Sequence, residues 1–306
     1  MGCKSSKIVH SENVEEIQET DGNVAPIAPQ DETTVNKGEV ESTSAEKQST
    51  EDDFSDNPLH DIDLTICDGD EPTSLQSGVV YVGQWKAGKQ HGKGKQTQKN
   101  GIVYTGQFYD GHIQGLGRLE RPDGSKYEGE FFEGKAHTKT RNGVYTFKEG
   151  SKYVGEWEND KRHGKGHEIT PDGSFYTGEY KKGSKSGYGK LVSPQGDVYE
   201  GNFANGDMNG EGKYTWPDGR SYEGQWSISK MHGDGKYCYS DGRVYTGTFK
   251  DNKIEGSGEL IWPDASSYKG EFKDAAPHGK GIYKQDKEEE GRLAIWNQGV
   301  RVRWLD

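Results

Sequence analysis

The sequence predicts an all-β protein: an elongated, single-layered antiparallel sheet of tandem β-hairpins, preceded by a disordered N-terminal segment. Three observations predict it. The pattern Tyr-x-Gly-x-aromatic occurs nine times, starting at Tyr81, Tyr104, Tyr127, Tyr153, Tyr176, Tyr199, Tyr222, Tyr245 and Tyr268, every 23 residues except for one interval of 26. Hydrophobic residues are 28% of the chain, well under the roughly 45–50% (Gly counted) of globular domains, so a thick core is not expected. Yet 11% of residues are aromatic and 45 are Gly, which suits a thin, open, repetitive β structure.

Each unit reads as one hairpin. Tyr, Gly and the aromatic lie at i, i+2 and i+4, on one face of a strand. The Gly between two rings leaves room for an aromatic of a neighbouring strand to lie over the backbone. The fifth-position rings are Trp85, Phe108, Phe131, Trp157, Tyr180, Phe203, Trp226, Phe249 and Phe272. An x-Gly-x-Gly element follows, as in His91-Gly92-Lys93-Gly94, then an apolar strand such as Leu260-Ile261-Trp262. Turns such as Pro122-Asp123-Gly124 and Pro217-Asp218-Gly219 close the units. With one layer there is no second sheet, so ring stacking between hairpins must replace it. Eighteen strands at about 4.8 Å each span roughly 85 Å. Residues 79–290 hold the nine units. Residues 291–306 lose the Tyr and Gly but keep Trp296, Val300, Val302, Trp304 and Leu305, and read as a degenerate repeat or cap, a strand or a helix.

The N-terminal region differs in kind. Residues 1–80 carry 4 Lys/Arg against 19 Asp/Glu, residues 81–190 carry 20 against 13, and residues 191–306 carry 15 against 19. Residues 8–78 have Phe54 as their one aromatic; such acidity and polarity cannot offset the entropy of folding, so a disordered spacer is expected. Asp61–Asp70 has the look of a calcium loop but places Thr65 and Ile66 where a ligand and the turn Gly belong. The Leu59–Ile66 alternation leaves room for a short docking motif. Residues 1–7, Met-Gly-Cys-Lys-Ser-Ser-Lys, form an acylation signal: Gly2 for myristoylation, with Ser6 in the required place, and Cys3 for palmitoylation. One chain alone binds membranes marginally; the second makes attachment stable, and Lys4 and Lys7 add attraction to anionic lipid. The expected location is therefore the cytoplasmic face of a membrane.

Chemistry is sparse. Cys3, Cys67 and Cys238 form neither a disulfide framework nor a zinc spacing, and the chain is read as intracellular. His91, His163, His232 and His278 sit in separate units, too far apart to converge on a metal. Gly83–Lys89 nearly spells a P-loop but lacks the following Ser/Thr and falls on a hairpin. No catalytic set stands out, the expected cofactor and metal content is none, and the acidic balance argues against nucleic acid.

The nine copies of Tyr-x-Gly-x-aromatic, each with its following glycines, resemble the MORN repeat (membrane occupation and recognition nexus). The resemblance runs from Tyr81 to about Gly281. It implies a twisted single-layer sheet with a groove that takes a partner helix or peptide, a homodimer as one arrangement, and settings such as cortical cytoskeleton, a ciliary or flagellar membrane, or a protist pellicle. In other members such repeats precede a kinase or methyltransferase domain; about 25 residues after Gly281 are too few for one.

Two sets of side chains follow as candidates. Tyr81, Trp85, Tyr104, Phe108, Tyr153, Trp157, Tyr199, Phe203, Tyr222, Trp226, Tyr245 and Phe249 form a row that is either core or groove lining. Lys86, Lys89, Lys93, Lys161, Arg162, Lys165, Lys181 and Lys182 form either a solvated face or a contact with anionic headgroups. The function expected is a non-catalytic, membrane-anchored scaffold that recruits protein partners; the alternative is a phosphoinositide-binding module.

Overall fold

The computed structural model describes residues 65, 71–75, 78–287 and 290–305. Gly2, Cys3, Lys4 and Lys7, the Leu59–Ile66 motif and almost all of the spacer lie outside the described residues. Among those described there is no helix. They form one open antiparallel sheet of 22 strands paired in chain order, except that Lys135–Ala136 and Gly143–Thr146 both pair with Lys126–Phe132.

A unit joins a seven-residue strand to a nine-residue strand through a two-residue turn, as in Val80–Lys86 and Lys89–Thr97. Both turn residues have positive φ, for example 49° at Ala87 and 76° at Gly88. That is the primed turn whose twist matches the strands. The two-residue excess is a bulge: Gly83 faces Gly94, but Trp85 faces Gln90. Gln84 fills the gap, its Oε1 accepting from the Lys93 amide at 3.0 Å. Gln107 does the same for Leu116 at 2.9 Å, and Glu156 for Lys165 at 2.8 Å. Successive hairpins are laced at the turns, with Gly111 N donating to Gln90 O and Gly134 N to Ile113 O.

Register aligns the glycines into a row across the sheet: Gly83, Gly94, Gly106, Gly117, Gly129 and onward to Gly270 and Gly281, ending at Ala294. Each repeat Tyr lays its ring on this row. All nine hydroxyls donate to the backbone carbonyl three residues on, from Tyr81 to Gln84 at 2.9 Å through Tyr268 to Glu271 at 3.0 Å. The fifth-position rings pack edge-on against the Tyr of their own unit and of the unit before. Phe108, for instance, is 5.2 Å from Tyr104 and 5.0 Å from Tyr81. An unbroken ring ladder thus runs from Trp85 to Trp296 and replaces a second layer.

Three features go beyond the sequence reading. The three-residue insertion splits one strand into Lys135–Ala136 and Gly143–Thr146. The intervening loop is tied down by Thr138, whose amide donates to Trp157 O and whose hydroxyl accepts from Trp157 N, so Gly143 still faces Gly155. The C-terminal region is a full hairpin, Arg292–Asn297 and Val300–Trp304, because Trp296 takes the ring position 5.0 Å from Tyr268. Finally, Thr73–Ser74, assigned to the spacer, is a strand paired with Val80 and Tyr81.

Candidate interaction surfaces

The sheet has two unlike faces, and strand alternation decides which residue lies on which. The ring face is occupied by its own side chains. Eleven of the twelve aromatics considered as groove lining are buried; Trp85, at the sheet edge, is 42% exposed. The rings are packed on the glycine row and on each other, so of the two readings of this row the structure describes the core one.

The ring face holds one ionic cluster. Arg162 and Glu168 are both buried and form an ion pair. Arg162 also donates to Gly183 O at 2.9 Å, and its guanidinium lies 5.0 Å from the Tyr180 ring centroid. Tyr180 donates to Glu168 Oε2 at 3.1 Å, and Lys185 Nζ lies 3.8 Å from the same oxygen and 4.7 Å over the Tyr176 ring. Burial pushes the Lys185 ammonium down to about 8 against the opposing pull of Glu168. It pushes the Tyr180 phenol well above its ordinary value. Arg162, expected among headgroup contacts, is thereby removed from that set: its charge is buried and compensated internally. Ile113, Met208, Met231 and Ile254 hold the equivalent positions in other units, so the cluster is peculiar to units four and five.

The opposite face is polar and open. Two side-chain rows cross it, one on each side of the glycine row. One contains Lys190, Glu200, Lys213, Glu223 and Lys236, opposite charges facing across successive strands, with Lys190 and Glu200 at 2.6 Å. The other contains Gln84, Lys93, Glu156, Lys165, Ser257 and Glu271. Between the rows lies a shallow trough of about 510 Å³ lined by Thr246, Ser257, Glu259, Lys269, Glu271 and Lys280. Another of about 330 Å³ lies outside them, toward the turn edge, among Gln84, His91, Lys93, Gln107, Tyr109 and Gln114.

The remaining basic candidates do not form one patch. Lys86 and Lys89 flank the first turn, and Lys89 is bound to Asp110 of the next turn at 2.8 Å, holding that carboxyl below its usual range. Lys161 faces Glu158 beside the fourth turn, and Lys181 and Lys182 are exposed at the fifth. Lys93 and Lys165 lie on the polar face. Lys86, Lys89, Lys161, Lys181 and Lys182 thus lie at three separate turns along one side of the sheet, interleaved with Asp110, Glu133, Glu158 and Asp160. Sequence spacing did not reveal this edge, because Lys86 and Lys89 become neighbours only through the turn. Among the described residues no cluster of His, Cys, Asp and Glu fits a metal, and no helix is long and apolar enough to cross a membrane.

This geometry defines a class: a single-layer sheet of tandem hairpins, held by a Tyr–Gly–aromatic ladder and presenting one free face. The chain belongs to the MORN-repeat family, whose model matches residues 81–103, 104–126, 127–137, 153–175, 176–198, 199–219, 222–242, 245–267 and 268–286, more than half of its length. No curated protein matches it. Among solved structures it is similar to the TCP10 domain of Danio rerio CPAP in complex with a STIL peptide, at 12% identity and a TM-score of 0.28, over 77% of this chain and 98% of that one. It is also similar to the TCP domain of Drosophila melanogaster SAS-4 in complex with a proline-rich motif, at 10% identity and a TM-score of 0.32, over 59% and 90%. Values this low carry no argument about partners.

Proposed function

We propose that the protein is a non-catalytic scaffold, held on the cytoplasmic face of a membrane by acyl chains on Gly2 and Cys3, which recruits protein partners along its sheet. The observation that supports the recruiting role is the division of labour between faces. Ring packing buries the repeat aromatics on one side, leaving on the other a mostly polar face interrupted by Leu116, Val144, Val154, Tyr188, Ile282 and Leu293. Two charged rows flanking shallow troughs suit an extended polypeptide better than a small molecule, which needs a concave, mostly apolar site. Contacts to a partner then fall on residues such as Gln84, Lys93, Glu259, Lys269 and Glu271 rather than on the buried rings.

The anchor rests on the Met-Gly-Cys-x-x-Ser pattern and on the weakness of single-chain anchoring. A second reading, direct phosphoinositide binding, rests on the exposed lysines at the first, fourth and fifth turns. The test compares full-length wild type, Gly2→Ala and Cys3→Ala by membrane fractionation. It also measures binding of the unacylated full chain to phosphoinositide vesicles. Release of both variants to the soluble fraction, with no vesicle binding, supports the acyl-anchored scaffold. Retention of Gly2→Ala on membranes, with vesicle binding, overturns it in favour of the second reading.

A further inference from the structure

The residue that fills each bulge is oriented by the backbone, and this decides what the open face offers. Gln84 Oε1 accepts from the Lys93 amide at 3.0 Å, and Gln107 Oε1 from the Leu116 amide at 2.9 Å. A side-chain NH2 cannot stand there, because it would meet another donor. Each glutamine therefore turns its Nε2 outward, and among the described residues neither Nε2 has an acceptor. Glu156 fills the same place in the fourth unit, its Oε1 accepting from the Lys165 amide at 2.8 Å. There the outward atom is a carboxylate oxygen. Asn202 is turned the other way, its Nδ2 donating to Glu211 O at 3.1 Å, and again leaves an acceptor outside. Identity at this one position thus sets whether a unit offers a donor or an acceptor.

Units one and two join two such donors to positive charge. The trough of about 330 Å³ that contains Gln84, Lys93 and Gln107 has no carboxylate in its lining. Lys93 stands opposite Gln107 across paired strands. The first hairpin, Val80–Thr97, holds Lys86, Lys89, Lys93 and Lys95 and no acid. Acids on neighbouring strands and turns are already engaged. Asp110 meets Lys89 at 2.8 Å, Glu128 meets Arg118 at 2.7 Å and Lys126 at 2.9 Å, and Glu130 accepts from the amides of Lys139 and Thr140. Tyr109, 61% exposed, lies 5.2 Å from the His91 ring and gives the trough an aromatic wall.

The seventh unit supplies the contrast. Gln225 repeats the bulge geometry: a Cβ at Gly233 would fall 1.9 Å from its Oε1, as one at Gly92 would from that of Gln84. But Gln225 faces Glu211, and Asp234 follows in the same row. An anion is attracted to the first site and repelled at the second.

We propose that the trough of units one and two docks an acidic segment of a separate protein, with carboxylates received by Gln84 Nε2, Gln107 Nε2 and Lys93. The two glutamines stand two strands apart, about 10 Å, which suits two carboxylates of one chain rather than the two oxygens of one carboxylate. This names the partner chemistry of the scaffold reading above and rests on that reading.

The test is fluorescence anisotropy of a labelled peptide of alternating Glu and Ser, titrated with the unacylated full chain at physiological salt. Wild type binds the peptide, and Gln107→Glu weakens binding about tenfold or more. Gln225→Glu, the same charge change at the same bulge position, leaves affinity within about twofold, because that site is distant and screened. Both variants keep the acceptor oxygen that Glu156 uses, so their β-sheet circular dichroism and thermal midpoints match wild type. Equal losses in the two variants would show general attraction between acids and lysines, and would overturn the proposal. Absence of binding by wild type overturns it too, including the case in which the chain's own acidic residues 8–64 compete for the trough. The assay contains no membrane. A chain that fractionates with membranes through its acyl chains but ignores the peptide keeps the scaffold reading and loses the trough; a chain that binds the peptide but stays on membranes as Gly2→Ala does the reverse.

Discussion

The ring of Tyr153 lies on the backbone of Gly166 so closely that a Cβ there would fall 2.4 Å from the phenol oxygen. The same contact recurs between Tyr81 and Gly94 and between Tyr268 and Gly281. The second glycine of each unit is thus a steric requirement of the ring ladder. Gly166→Ala is expected to destabilise by about 3 kcal/mol, since backbone and a packed ring must both shift. Gly88→Ala, in a turn with φ of 76° and open space around it, should cost only about 1–2 kcal/mol. Chemical denaturation of the two variants measures the difference.

Ring position predicts a gradient of stability. Trp226 is buried between Tyr199 and Tyr222 and donates from its indole nitrogen to Gly212 O at 3.1 Å. Trp226→Ala should cost about 3–5 kcal/mol. Trp85→Ala removes a ring that, among the described residues, packs on the ring of Tyr81 only, and should cost roughly half as much. Equal losses would contradict the ladder as the main source of cohesion.

The Glu168 carboxylate holds two buried cations. Glu168→Gln leaves Arg162 and Lys185 without their counter-ion and is expected to destabilise by about 3–5 kcal/mol. Lys185→Met, which copies Met208 and Met231 of later units, should be neutral or stabilising. It should also remove a pH dependence. Folded Lys185 releases its proton near 8 while the unfolded side chain keeps it to its ordinary 10.5. From about pH 8 to 10 the unfolded state therefore binds more protons, and this group's contribution to stability rises with pH.

Alkaline unfolding should be steep. Burial raises the phenols of Tyr104, Tyr153, Tyr176, Tyr199 and Tyr222, and pushes Tyr245 and Tyr268 up to about 12. A raised folded pKa stabilises fully below the unfolded value of 10 and is lost as pH climbs past it. Phenolate absorbance and loss of β-sheet circular dichroism are expected to rise together above about pH 10. Tyrosine ionisation well before unfolding would show that the rings are not buried as described.

The repeat itself is written in the chain: Tyr, Gly and aromatic two residues apart must share a strand face, and turns such as Pro122-Asp123-Gly124 recur at the same interval and close each unit. Three things were hidden for physical reasons. Arg162 reads like any surface cation until Glu168, Tyr180 and Lys185 meet it across two neighbouring hairpins. Thr73–Ser74 carries no apolar alternation of its own and becomes a strand only by pairing with Tyr81. Residues 291–306 left a strand and a helix open, and only the structure shows Trp304 in a strand with the guanidiniums of Arg292 and Arg301 each 4.2 Å from its ring.

By itself, then, the sequence determined the unit, its length and the membership of each ring in one row, because local periodicity fixes side-chain direction. The tertiary structure decided which face stays open. A Tyr at every repeat can lie over a glycine only when strands are in register, and that register exists only in the assembled sheet. Once the rings occupy the glycine row they are buried there, and the polar rows on the other side are what the sheet leaves exposed.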